Sequence, residues 1–522
     1  MNETTFDYLV VGAGSAGCIV ASRLSEDSSV RVALLELGGM DTNPAIYDQS
    51  SLNPMYSLWD PKGKENWGYT TEPQSGLNGR RIDIARGRVL GGSSSVNAMI
   101  YIRGNRRDFD MWASLGNSGW SYADVLPYFK RSESYQGSQP REFHGDAGPL
   151  SVIDYRSPSV AGEAFVEAAF TLGATARNND FNGASQEAGA GFYQATKTPD
   201  GTRVTAGSAF IRPNLGRKNL QLLTGVRVRR LLIDGGRAIG VELEGVDGFS
   251  TIRAEREIIL SGGAYETPKL LLLSGIGPAA ELATWGIPVI QDLPGVGKDL
   301  QDHMLLGVGY QSQVAFAEPE LLAEAGLFRW TQGEQQQTSP DLQYFFGPVQ
   351  FLLPEYVNEG PGFTFAPILA QPLSRGTISL ASTDPTVNAK LDPQYLSCEE
   401  DITVFEHGIR YARDLVQTEA FAGIRGRELA PGADVTSSAD LRAFIRKAAS
   451  TVWHPTSTCR MGTDEGAVVD PELRVRGVNG LRIADASVMP RIVNGNPNAA
   501  TMMIAEKAAD LIRGIQSPAP DA

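Results

Sequence analysis

The chain has 522 residues and only three cysteines, Cys18, Cys398 and Cys459. They are too few and too scattered for a disulfide framework or a zinc site, so free buried thiols and no bound metal are expected. No stretch offers the ~18 consecutive apolar residues of a spanning helix, so no membrane span is expected. The first residues are polar, and glycine at once interrupts the apolar run 8–13. No secretory leader is read there, and the cytoplasm is the expected location. Positive charge is scarce as well: 46 Lys and Arg against 60 Asp and Glu leave a net charge of −14. That balance argues against a nucleic-acid partner. Histidine occurs only at 144, 303, 407 and 454. A general base working near neutral pH therefore comes from a short roster.

What is present begins with length, which exceeds one ordinary core and predicts two domains. Phe6 to Val11 reads as a buried parallel strand, followed by the turn Gly12, Ala13, Gly14, Ser15, Ala16, Gly17 and then a helical stretch. In that context Gly12 permits the tight turn, Gly14 lets backbone approach a pyrophosphate, and Gly17 lets the helix pack on the strand. The helix amino end presents its positive dipole to the phosphates. A second strand, Val30 to Leu35, ends at Glu36, placed to accept hydrogen bonds from an adenosine ribose. NAD and FAD both fit this pattern.

Two further small-residue segments follow. Residues 85–104 read ARGRVLGGSSSVNAMIYIRG, and residues 256–277 read REIILSGGAYETPKLLLLSGIG. In the second, Thr267 and Pro268 suit a helix start. Gly87 to Asn97 and Gly263 to Gly277 are similar to the two signature motifs of the glucose–methanol–choline oxidoreductases. The resemblance continues through PGVGKDLQDH at 294–303 and through the last seventy residues, and is looser in the middle.

The resemblance implies FAD. By motif position Gly91, Gly92, Ser93 and Asn97 lie along the isoalloxazine, and Val228 offers backbone to the adenine. Some members bind FAD covalently through a histidine just before the motif asparagine. Here that position is Val96, so FAD is expected to be non-covalent. Asp485 and Ala486 end a strand where the ribityl chain would be held. The stretch from Asn498 reads as an amphipathic helix with Asn498 as its N-cap, aimed at the flavin. The resemblance also places His454 and Asn496 beside the substrate hydroxyl. His454 would take its proton, Asn496 would hold the same oxygen, and hydride would pass to flavin. His303 is read as structural, and His144 and His407 as structural or surface residues.

The expected fold class is α/β: a Rossmann-like FAD-binding domain plus a substrate domain with an antiparallel β-sheet and flanking helices. The boundaries expected are 1–155, 216–305 and 465–522 for the first, and 156–215 and 306–464 for the second. Strands are expected within 341–353, 362–371 and 376–382, and helices over EEDITVFEHGIRYARDLVQ and SADLRAFIRKAAS. Segment 316–339 reads as a surface loop, with gating as a minor option. Trp453 would wall the pocket. Phe345 and Phe346 point to opposite faces of a strand, so at most one reaches it, and Phe345 is taken as that one. The implied reaction is oxidation of a primary alcohol, aromatic or furanic, with oxygen or another electron acceptor. Choline dehydrogenation is an alternative, as is a lyase or photochemical enzyme of the same fold.

Overall fold

The computed structural model describes residues 4–48, 51–246, 248–332 and 338–516. Two sheets organise it. The first has seven strands, ordered Leu220–Thr224, Val32–Glu36, Thr4–Val11, Gly248–Leu260, Arg237–Gly245 and Arg227–Asp234, with Leu481–Ile483 paired to Gly248–Leu260. The strands around Thr4–Val11 are parallel, with Val10 opposite both Leu34 and Ile259. They are buried on both faces, which is why they read as unbroken apolar runs rather than alternations. The last three strands of the path form an antiparallel meander.

Helices Ser15–Leu24 and Asn498–Arg513 pack on each other in this first core. The second of them is buried almost throughout its length rather than amphipathic. Its polar residues are enclosed: Glu506 is held by Arg23 Nε at 2.9 Å and Arg131 Nε at 2.8 Å. Lys507 lies over the rings of Trp120 and Tyr128. A buried charge persists only when paired in this way. Residues 204–211 also join this core, packing beside the first helix.

The second sheet has nine strands. Its central path runs Arg425–Ala430, Val308–Ser312, Gly362–Leu369, Leu342–Gly347, Ala325–Arg329, Gly189–Phe192 and Ala176–Arg177. All neighbours on it are antiparallel except the last pair. Helices Val160–Thr171, Glu399–Gln417 and Ser438–Ala448 cover one face around Phe165, Phe346, Phe363 and Phe365. The other face roofs the cavity described below.

Three local expectations need correction. Segment 316–339 contains an interior strand, Ala325–Arg329, and is not one surface loop; residues 333–337 within it lie outside the described residues. Strand Thr377–Ser379 pairs with Lys390–Asp392 in a separate hairpin, not with the main sheet. The helix expected to start at Thr267 begins at Gly263. Pro268 is tolerated inside it because the carbonyl it leaves free, that of Ala264, accepts from Thr458 Oγ1 at 2.7 Å.

Candidate active site

A cavity of about 360 Å³ runs between the two sheets. Its deep end is built by the first strand–turn–helix unit. Gly12, Gly14, Ser15 and Ala16 line it, and Gly17 does not. A Cβ on Gly17 would stand 1.8 Å from the Gly12 carbonyl oxygen, so Gly17 is required by helix–strand contact. A Cβ on Gly14 would meet no protein atom nearer than 4.0 Å. The small residue at 14 therefore serves whatever lies in the cavity, not the packing of the chain. Glu36 lines the same end and accepts from the backbone N–H of Ala13 and Gly38. Burial pushes its carboxyl up to about 7.

The cavity is also lined by Gly92, Ser93, Asn97, Asp485 and Ala486, and by Val228 on strand Arg227–Asp234, just before which the Val226 N–H donates to the Glu36 carbonyl. Gly91, expected there too, stands behind the wall. Its N–H donates to the Ala13 carbonyl at 2.8 Å, and a Cβ on it would strike Ser95 Oγ at 2.4 Å. Asn97 turns its side-chain oxygen away from the cavity chemistry, accepting from Met99 N and Arg203 Nη1. Asp485 is held by Gly263 N, Thr267 Oγ1 and Ser487. Val96 packs among Ile46, Leu58 and Val89, and its carbonyl accepts from Trp59 Nε1.

Asn498 also lines the cavity but is not an N-cap. Pro497 holds that position, and Asn498 is the first helical residue. Its Oδ1 is committed to Ser15 Oγ at 2.7 Å, which ties the amino ends of two helices together at one spot. Two helix amino termini and open backbone at Gly14 suit a negatively charged dinucleotide.

At the other end His454 and Asn496 meet, His454 Nε2 lying 3.2 Å from Asn496 Nδ2. Asn496 Oδ1 is buried with no hydrogen-bond partner. His454 Nδ1 faces His303 Nδ1 at 3.0 Å, and His303 Nε2 faces the Ala370 carbonyl at 3.1 Å. A carbonyl only accepts, so His303 carries its proton on Nε2. Burial holds the His303 pKa down to about 4, so the ring is neutral and its Nδ1 accepts. His454 must then donate from Nδ1, which leaves a lone pair on Nε2 toward the cavity. Burial first, then the neighbouring His303 ring and the Arg86 guanidinium, hold His454 well below its ordinary pKa, so this ring is neutral too.

The segment that carries His454 is fixed tightly. Asp302 accepts from His454 N at 2.7 Å, from Thr451 Oγ1 and from Tyr395 Oη. Trp453 lines the cavity in the left-handed region, with φ +62°. Arg86 Nη1 on the Trp453 carbonyl and Thr451 Oγ1 on the Trp453 N–H hold it there. Such strain persists only where the surroundings impose it. The loop carrying Asn496 is anchored at Asn494, whose N–H donates to Asp108 Oδ2 at 2.7 Å and whose Oδ1 accepts from Gln371.

Phe345 lines the cavity while Phe346 sits in the core, stacked on Phe165. Phe363 and Phe365 are core residues as well. His144 is buried between Glu133 and Asp180, and His407 is exposed on the Glu399–Gln417 helix. Sequence reasoning read His303 as structural and passed over Asp302, Arg86 and Trp59. His303 and Asp302 stand side by side in LQDH, and Arg86 directly precedes the motif that begins at Gly87, so nearness to the motifs was the available signal. Among the described residues no helix is long and apolar enough to cross a membrane, and no cluster of His, Cys, Asp and Glu could hold a metal.

Family models described as GMC oxidoreductase match residues 6–305 and 372–505. The chain is 39% identical over 536 residues to an oxygen-dependent choline dehydrogenase of Brucella anthropi, covering 97% of this chain and 95% of the relative. It is 41% identical to a protein of the same name from Yersinia pseudotuberculosis, covering 98% and 94%. Among solved structures it is similar to pyridoxine 4-oxidase from Mesorbium loti, with a TM-score of 0.90, 34% identity and coverage of 98% and 100%. Formate oxidase is similar at a TM-score of 0.88 and 26% identity, covering 98% and 99%.

Proposed function

Because this chain belongs to the GMC oxidoreductase family, we propose that it oxidises a primary alcohol with His454 as the base and Asn496 as the partner that holds the reacting oxygen. The family identifies an FAD-dependent alcohol oxidoreductase, acting on a small alcohol and passing electrons to an acceptor. The cavity fits FAD. It offers Glu36 at one end, two helix amino ends with the open approach at Gly14, and the His454–Asn496 pair at the other. Gly12, Gly14, Ser15, Glu36, Val228 and Asp485 would hold the dinucleotide, with Gly92, Ser93 and Asn97 along its ring. The chemistry FAD supplies is acceptance of the hydride from the alcohol carbon.

The observation that carries the assignment is the unprotonated Nε2 of His454 accepting from Asn496 Nδ2 at 3.2 Å, at the cavity wall. An alcohol hydroxyl settling beside the pair takes the place of Asn496 at Nε2 and donates its proton there, and Asn496 Nδ2 donates to the alcohol oxygen instead. The chain His454–His303–Ala370 keeps the accepting nitrogen toward the substrate and holds the ring in place. Phe345, Trp59 and Trp453 on the walls support an aromatic or furanic alcohol, and the relatives' name makes choline the competing candidate. That name also favours oxygen as acceptor. Val96 offers no nucleophile, so the reading includes non-covalent FAD. Three free cysteines suit a reducing compartment, and the cytoplasm is the assigned location.

His454→Ala tests the base. FAD should stay bound while anaerobic bleaching of the flavin by an alcohol slows by about a hundredfold or more. Undiminished bleaching in that variant removes His454 from the role. A yellow protein that no alcohol bleaches would return the chain to the lyase alternative.

A further inference from the structure

We propose that the alcohol this cavity accepts is uncharged, and that the site discriminates against a quaternary ammonium head. The inference rests on His454 being the reacting end of the cavity and names the class of substrate admitted there.

The wall beside His454 is apolar. Leu305, Ala366 and Ile368 form a buried cluster against which Phe345 and Val452 pack. All but Ile368 line the cavity. The placement follows from register. Leu305 lies two residues after His303 and pairs with Ser450, on the segment that leads into His454. Phe345 and Ala366 are directly opposite each other on adjacent strands, so both side chains face the same way, into the cavity.

The carboxylates that line the cavity are Glu36, Glu266 and Asp485, and each is already engaged. Glu36 accepts from two backbone N–H groups, and Asp485 from Gly263 N, Thr267 and Ser487. Glu266 accepts from Tyr69 Oη and Lys269 Nζ. Arg86 also lines the cavity, with Nη1 2.9 Å from the carbonyl of Trp453, one residue before His454. Asp302 lies behind His454, does not line the cavity, and spends its oxygens on His454 N, Thr451 and Tyr395. Its charge offsets that of Arg86 and leaves no surplus negative charge for a ligand.

An ammonium head entering here would shed water, find no free carboxylate and face a guanidinium. Trp59 and Trp453, edge to face at 4.8 Å, offer ring faces to a cation. That attraction is smaller than the cost of stripping a charge of water without a counter-ion. A neutral alkyl or aryl group loses little on desolvation and gains from apolar burial.

Choline and neohexanol test this, because they share one shape and differ by a quaternary nitrogen against a quaternary carbon. Holoenzyme without oxygen is titrated with each, reading the flavin difference spectrum for binding and bleaching for turnover. Neohexanol should bind more tightly than choline by about tenfold or more. Choline binding equally or more tightly overturns the inference, as does a neutral alcohol that leaves the spectrum unchanged. If the spectra rank the two as expected but neither bleaches the flavin, the charge preference stands and the proposed oxidation fails instead.

Discussion

His303 and His454 meet nitrogen to nitrogen, Nδ1 to Nδ1, at 3.0 Å. The contact has only one consistent protonation while both rings are neutral, because His303 has committed its other nitrogen to the Ala370 carbonyl. A backbone carbonyl just past the end of strand Gly362–Leu369 thereby decides which nitrogen of His454 faces the cavity.

Replacing His303 by phenylalanine keeps a ring in the space and removes the acceptor. His454 then has a buried N–H without a partner and no constraint on its tautomer. The expected outcome is a loss of about ten- to a hundredfold in the rate of anaerobic flavin bleaching, with FAD occupancy retained. An unchanged rate would show that His454 does not depend on its neighbour.

The pH dependence has a definite sign. A base must be unprotonated to work, so activity falls as acid protonates His454, at a pKa below the ordinary 6.5. The profile of kcat/KM should be flat from neutrality upward and fall only on the acid side. Arg86 contributes to the depression. Arg86→Gln should move the acid limb to higher pH, by about one unit. A limb that stays in place would show that the guanidinium does not act on the base.

Two glycines separate ligand from scaffold. Gly17→Ala drives a Cβ to 1.8 Å from Gly12 O and should lower the thermal stability of the apoprotein. Gly14→Ala meets no protein atom closer than 4.0 Å. It should leave the apoprotein's melting temperature unchanged and reduce FAD occupancy after purification. Equal stability losses in both variants would contradict the division.

Val96 stands where a covalent member would carry histidine. Acid precipitation of the holoenzyme should leave a colourless pellet and all the flavin in the supernatant. Yellow colour retained by the pellet would mean a bond from another residue.

Much of the dinucleotide end was legible because it is local. The turn from Gly12 to Gly17, its strand and its helix lie within one stretch of chain, and backbone sterics alone dictate where glycine is needed. The strand period also separated Phe345 from Phe346 correctly, since alternation is a property of the strand itself. Helix limits were less legible. Asn498 resembles an N-cap, but its side chain is taken by Ser15, nearly the whole chain away. Pro268 resembles a helix start, but a threonine hydroxyl from another segment satisfies the carbonyl it frees.

By itself the sequence determined the family, the cofactor and the pairing of His454 with Asn496, because those rest on motifs whose residues are neighbours in the chain or recur at matching positions. Tertiary structure alone decided what His454 is. Its tautomer is set by His303 and Ala370, its backbone by Asp302, its charge environment by Arg86 and its apolar facing wall by Leu305 and Ala366. Those partners arrive from separate strands and loops, and a hydrogen bond or a buried charge depends on distance in space, which no spacing along the chain encodes.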